Sequence, residues 1–262
     1  MPRLFHTILL SLLLGACASL PDQPVDVLLL GEVHDNADGH RQRLALLEAR
    51  VAAGWRPAIA MEQFDIERQT ELDAALQRCA DADCVIAAVG GQRWNWSFYR
   101  PVIELARRYQ LPLLAANLSR NDAARVTREG FKASFSTADI AGWRLDQPLP
   151  ADLATPQREA IITGHCNKLP ANMVEGMLNA QVARDLWMAR VMTPHATRGV
   201  VLLAGNGHVR KDVGVPRWLP SGLRVQSIGF IEPGDDSEAY DRVQTLTPQD
   251  RQDPCAAFAP RR

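Results

Sequence analysis

Two apolar runs in this chain leave in the same way. Val25–Leu30 continues into Gly31-Glu32-Val33-His34, and Gly199–Ala204 continues into Gly205-Asn206-Gly207-His208. A third run, Pro57–Met61, ends directly at Glu62. Histidine changes its charge near neutral pH, and a carboxylate beside it fixes its tautomer and raises its basicity. Two carboxylates and two imidazoles in one place can therefore move protons at neutral pH or bind a divalent metal. Glu32 and His34 are two apart, so on extended backbone both project to the same side. The same residues can also be ordinary loop-ordering groups, with Asp35 or Asn36 capping the next helix and His34 bonded to backbone. One such residue alone reads that way. Four at strand ends favour a shared site made of Glu32, His34, Glu62 and His208.

For these four to meet, their strands must end at the same edge of one sheet. The runs are short, rich in branched residues and apolar throughout, as in strands of a parallel sheet buried on both faces. In such sheets ligands collect at the carboxyl ends of the strands. After Val25–Leu30, a helix is marked by Leu44, Leu47 and Val51 and stops at Gly54. Helical patterns around 67–78 and 98–109 precede a third strand, Leu111–Ala116, which ends at Asn117. This alternation predicts right-handed βαβ units. The fold class is α/β, a parallel sheet between helical layers, with the core formed by residues 25–118 and 171–247. From 119 to 170 the strand pattern vanishes and short helical pieces indicate a small helical subdomain. A long helix is expected over 173–193, the last strands over 199–204, 224–230 and 242–246, and a polar tail over 248–262.

The 262 residues are 47% hydrophobic and 23% charged, enough for one compact core. The 29 basic and 30 acidic side chains balance, with no basic run interleaved with aromatics, so a nucleic-acid partner is not supported. Residues 1–16 have the basic start and short apolar core of a signal peptide, too short to span a membrane. Leu14-Gly15-Ala16-Cys17 resembles the lipobox of bacterial lipoproteins, which implies cleavage before Cys17, lipidation of its sulfur and a tether over 17–24. An ordinary signal peptide cut after Ala16 or Ala18 is the alternative. Alanine at position 18 favours the outer membrane, with the protein in the envelope facing the periplasm. Four cysteines remain, an even number that permits disulfides in an exported protein. Cys79 and Cys84 enclose four residues between helical patterns and are expected to pair. Cys166 with Cys255 is the pairing the count leaves over. Neither Cys-x-x-Cys nor His-x-x-x-His spacing occurs, which disfavours zinc.

Taken in order, Gly31-Glu32-Val33-His34-Asp35, Met61-Glu62-Gln63-Phe64, Trp94-x-Trp96-x-x-Tyr99-x-Pro101, His165-Cys166, Gln181-x-x-Arg184-Asp185-x-x-Met188-Ala189 and Gly205-Asn206-Gly207-His208 resemble the ChaN family over roughly residues 25–230. These are haem-binding lipoproteins of bacterial iron uptake, in a superfamily with Tiki metalloproteases and erythromycin esterases. The resemblance implies ferric haem as cofactor, a tyrosine on the iron, basic or imidazole groups on the propionates, a pocket shared by a homodimer, and a haem-uptake receptor as partner. Phenolate is a hard anionic donor suited to ferric iron. Tyr99, Tyr109 and Tyr240 are the available tyrosines, and Tyr99 stands first because it lies in the aromatic motif; the same cluster also reads as plain core. His165 and Lys168 are the candidates for a haem edge, and His165 reads equally as a structural histidine. Covalent c-type attachment is excluded, since no Cys-x-x-Cys-His occurs. The alternative is a hydrolase, an esterase or metal-dependent peptidase, using Glu32, His34, Glu62 and His208.

The lipobox reading makes one direct prediction. Labelled fatty acid marks the native protein and not Cys17→Ser, which is released from the membrane or left unprocessed; equal labelling of both rules out the lipoprotein reading.

Overall fold

A computed structural model describes residues 25–253 and 255–256. The expected signal peptide, lipidated Cys17 and the whole tether lie outside the described residues. Six strands, β1 (Val27–Leu30), β2 (Ala58–Asp65), β3 (Leu113–Asn117), β4 (Val200–Leu203), β5 (Val225–Ile231) and β6 (Arg242–Thr245), form one sheet in the order β3-β2-β4-β1-β5-β6. Every pairing is parallel. The α/β class follows the sequence pattern. The strand borders shift by one to four residues, and β2 runs on through Glu62, Gln63 and Phe64, with a register shift against β3 between Met61 and Asp65.

Alternate side chains of each strand feed opposite layers. Leu28 and Leu30 pack with α1 (Ala37–Ala52), α2 (Gln69–Arg78), α3 (Ala82–Val89) and α4 (Arg100–Tyr109). Val27 and Leu29 face Met188, Ala189 and Met192 of α8 (Ala171–Met192). Between 119 and 170 the chain forms α5 (Arg120–Glu129), α6 (Thr137–Gly142) and α7 (Ala151–Gly164). These pack on the outer part of α8 through Phe131, Phe135, Leu153, Leu178 and Leu186. The long helix thus belongs to both cores, and the helical pieces are anchored to the sheet through it. Both disulfides form: Cys79–Cys84 joins α2 to α3, and Cys166–Cys255 ties the C-terminal segment to the turn after α7. No described helix is long and apolar enough to cross a membrane.

The first Gly-x-x-His has a steric reason for its glycine. A Cβ on Gly31 would collide with Asn206 Oδ1, and the Asn206 side chain both accepts from Phe230 N (3.1 Å) and donates to Phe230 O (2.6 Å). Gly31→Ala is therefore expected to displace Asn206 from the end of β5 at a cost of about 2 kcal/mol. Thermal unfolding checks this, with a fall of several degrees in Tm expected and an unchanged Tm counting against the packing described.

Candidate functional site

Glu32 follows β1 and is 3% exposed. A buried carboxylate survives only with hydrogen-bond donors around it, and four side chains supply them. Tyr99 donates its hydroxyl to Oε1 at 2.6 Å, His34 Nδ1 lies 2.7 Å from the same oxygen, and Gln63 Nε2 donates at 3.3 Å. Arg43, buried on α1, pairs with Oε2. Arg43 also donates to His40 Nδ1 (3.0 Å), so His40 Nε2 carries the proton that it donates to the carbonyl of His34 (3.0 Å). Burial lowers the His40 pKa, which suits this neutral form. Burial likewise brings Arg43 down to about 10, against the opposing pull of nearby Tyr99 and Glu62. Asn36 accepts from Gly39 N at 2.9 Å and caps α1. Within one loop Asn36 thus caps the helix while Glu32 and His34 hydrogen-bond to each other.

A second network gathers around Glu62 and His208. His208 sits in α9 (Asn206–Val209), a single turn following β4. Its Nδ1 lies 2.6 Å from Asp185 Oδ1 of α8, and its Nε2 lies 3.6 Å from Glu62 Oε1. The amide of Gln181, one turn before Asp185, lies 3.3 Å from Nδ1. Glu62 Oε2 accepts from Gly205 N at 2.8 Å. Gly205 joins the two networks, because a side chain there would press on His34 Cε1 and Nε2 at 3.1 Å. The two Gly-x-x-His endings thus converge at one edge of the sheet.

The electrostatics follow from burial. Burial pushes the His208 imidazole pKa down, but the Asp185 and Glu62 carboxylates outweigh it and hold it above the ordinary value. Burial raises Glu62, and His208, His34 and the Gly205 amide more than reverse this, leaving it low. Asp185 is raised, because burial wins over its His208 partner, and its Oδ2 is buried with no hydrogen-bond partner.

Above these networks opens a cleft of about 980 Å³, bordered by Glu32, His34, Gln181 and His208 on the sheet side, Pro156 and Ala160 of α7, and Tyr240. That is the size range of small-molecule sites. The His34 side chain is 50% exposed, whereas those of Glu62 and His208 are 10% and 8% exposed. His34 is therefore the imidazole offered to a ligand. Among the described residues no group of three or more His, Cys, Asp or Glu is placed to hold a metal ion.

The structure places three of the expected haem contacts, Tyr99, His165 and Lys168, away from the cleft. Tyr99 does not open into the cleft: it is fully buried, its hydroxyl is committed to Glu32, and burial raises its pKa well above the ordinary value, away from phenolate. His165 and Lys168 are exposed on the turn between α7 and α8 and do not border the cleft; His165 Nδ1 bonds to Ile161 O at 2.7 Å. Tyr109 packs under the Arg56 guanidinium. Tyr240 does line the cleft, its hydroxyl 3.4 Å from Asn206 O, with burial raising its pKa to about 12. Sequence reasoning missed Arg43 as a partner of Glu32, although a charged residue on the stripe of Leu47 and Val51 was a readable sign. It also missed Asp185 as the partner of His208; a carboxylate between Ala183 and Leu186 on a long buried helix was the sign there.

Comparison with known proteins identifies the family. Residues 23–219 match the family described as haem-binding uptake, Tiki superfamily, ChaN. Among solved structures the chain is similar to ChaN of Campylobacter jejuni, determined for its cofacial haem binding, with a TM-score of 0.68 and 22% identity over 84% of this chain and 86% of that one. It is more distantly similar to an erythromycin esterase mutant, EreC, in its open conformation (TM-score 0.47, 16% identity, 80% and 71% of the two chains). No curated protein matches.

Asp185→Asn tests the electrostatic account of His208. Removing that charge is expected to lower the His208 pKa, read from its imidazole NMR resonances against pH. With the folded pKa raised above 6.5, His208 contributes stability that is complete below the unfolded value and is lost as pH rises through the folded one. An unchanged titration in Asp185→Asn would contradict the coupling.

Proposed function

The chain belongs to the ChaN family of the Tiki superfamily, the haem-binding uptake proteins, and from that premise we propose that it binds ferric haem in the cleft at the carboxyl end of the sheet, for haem-iron uptake at the bacterial envelope. The observation that carries the proposal is His34. Its ring is half exposed beside a cleft of about 980 Å³, and its Nδ1 rests on a buried carboxylate. A carboxylate–imidazole pair of this kind orients a metal-binding nitrogen and raises its basicity. Haem, when bound, would supply an iron that takes an imidazole or phenolate donor. The donors present fit that need: His34 Nε2 is first in line, and Tyr240 is the tyrosine at the cleft wall. Apolar contact comes from Val33, Pro156, Ala160 and Val213, and the Arg210 and Arg251 side chains on the rim are the cations within reach of acidic substituents. Both arginines are already paired with carboxylates, Arg210 with Asp212 and Arg251 with Glu232, so propionates would compete for them.

Lipid anchoring at Cys17, in the outer membrane facing the periplasm, belongs to the same proposal. It is supported by Leu14-Gly15-Ala16-Cys17 and by the two disulfides, which suit an oxidising compartment. A homodimer that shares the pocket and an uptake receptor as partner complete the proposal, as the resemblance to the haem-binding uptake family implies.

A hydrolase is the second reading, favoured by the Asp185–His208 pair: a buried carboxylate on Nδ1 orients an imidazole that, with its pKa held above the ordinary value, can serve as a general acid. In this reading Glu62 steadies the imidazolium. Glu32 is committed to Arg43 and Tyr99 and acts only by positioning His34.

Titration of the soluble protein with haemin, followed by absorbance, separates the readings. A saturable spectral shift is expected for the wild type. His34→Ala should weaken binding by at least about tenfold and change the spectrum, whereas Tyr99→Phe should keep the spectrum, since its oxygen is not on the iron. His34→Ala with wild-type affinity and spectrum would place the ligand elsewhere. Absence of any saturable shift, with ester hydrolysis lost in His208→Ala, would favour the hydrolase.

A further inference from the structure

The C-terminal segment links the two walls of the cleft. After β6, Leu246 is buried, and Thr247 N donates to Asp38 at 3.1 Å while its carbonyl accepts from Asn36 Nδ2 at 2.9 Å. These contacts seat the segment on the start of α1. Arg251 then reaches the loop that carries His34: its Nε donates to Asp35 at 2.6 Å, and its two terminal nitrogens donate to Glu232 at 2.7 and 2.8 Å. Asn36 donates to the same Glu232 carboxylate at 2.6 Å. Four residues further on, Cys255 is disulfide-bonded to Cys166, two residues beyond the end of α7. Four residues span at most roughly 14 Å, so the segment is a short tie between the sheet-end loops, where Arg251 borders the cleft, and the helix whose Pro156 and Ala160 form the facing wall.

We propose that this segment is a redox-releasable strap that sets the opening of the cleft: with Cys166–Cys255 formed the mouth is held, and with it reduced the segment comes away from Asp35 and Glu232 and ligand exchange accelerates. The reductant is a dithiol. Its thiolate attacks one sulfur to give a mixed disulfide, and its second thiol then displaces the protein sulfur, leaving Cys166 and Cys255 as thiols and the reductant as a disulfide. Cys79–Cys84 cannot play this part, since it closes a five-residue separation within the layer of α2 and α3. The Arg251 ion pairs are partly exposed and reversible, so the disulfide is the covalent anchor that limits how far the segment can move.

That haem is the ligand gated rests on the function proposed above, so the test has one arm independent of haem. The purified soluble form and its double variant Cys166→Ser/Cys255→Ser are compared, with wild-type protein treated with dithiothreitol as a third sample. Trypsin cleavage after Arg251 should be at least about tenfold faster in the variant and the reduced protein, because protease access tracks local opening. Haemin release to an excess of haem acceptor should rise by at least about tenfold in the same samples, as for a loosened lid. Equal cleavage rates would overturn the strap, with or without haem binding. Faster cleavage with unchanged haemin release would overturn gating while leaving haem binding intact. If no sample binds haemin, the cleavage arm alone decides the strap.

Discussion

Everything at the carboxyl edge of the sheet is arranged around one carboxylate that has left water. Glu32 follows a strand whose four residues are all completely buried, and its own side chain is 1% exposed. Losing a partner from such a buried pair costs about 3–5 kcal/mol, so the chain must bring its donors from wherever they lie. Arg43 comes from α1, Gln63 from the extended end of β2, Tyr99 from the turn before α4, and His34 from the same loop. Each donor fixes the element that carries it. The aromatic run from Trp94 to Tyr99 is therefore part of the site's foundation: Trp94 meets the His34 ring edge-on at 5.1 Å, and Phe98 stacks on His40 at 4.5 Å.

The second network solves a related problem with a different cation. Glu62 and Asp185 are both buried, and His208 stands between them, its two ring nitrogens facing one carboxylate each. Their combined charge favours the imidazolium despite burial. Gly205 is the hinge between the networks, because it gives its amide to Glu62 and leaves room for the His34 ring. A site results in which one histidine is kept neutral inside, one is held between carboxylates, and one is turned outward. Only the outward one is offered to a ligand.

The sheet, its parallel sense and the convergence of Gly31–His34 with Gly205–His208 were legible because buried strands have a short apolar period and because strand ends gather in parallel sheets. The helical stretch from 119 to 170 was legible as a loss of that period. What escaped the sequence was partnership. Tyr99 sits in a conspicuous aromatic run, yet nothing in its neighbours states that its hydroxyl points inward to Glu32, since that depends on how α4 docks. His165 and Lys168 follow a helix whose length alone carries them past the cleft. The tail from Pro248 reads as polar, and its link to the turn after α7 rests on Cys166–Cys255, a pairing that the cysteine count alone left open.

The central claim is that the cleft over Glu32 and Glu62 receives haem on the outward histidine. The most direct measurement is a crystal structure of the protein saturated with ferric haem. The account predicts the porphyrin in the cleft between Gly205 and α7, with the iron bonded to His34 Nε2 and Tyr99 still donating to Glu32. A porphyrin bound on another surface, or an iron bonded to a Tyr99 that has swung out of the core, would contradict it.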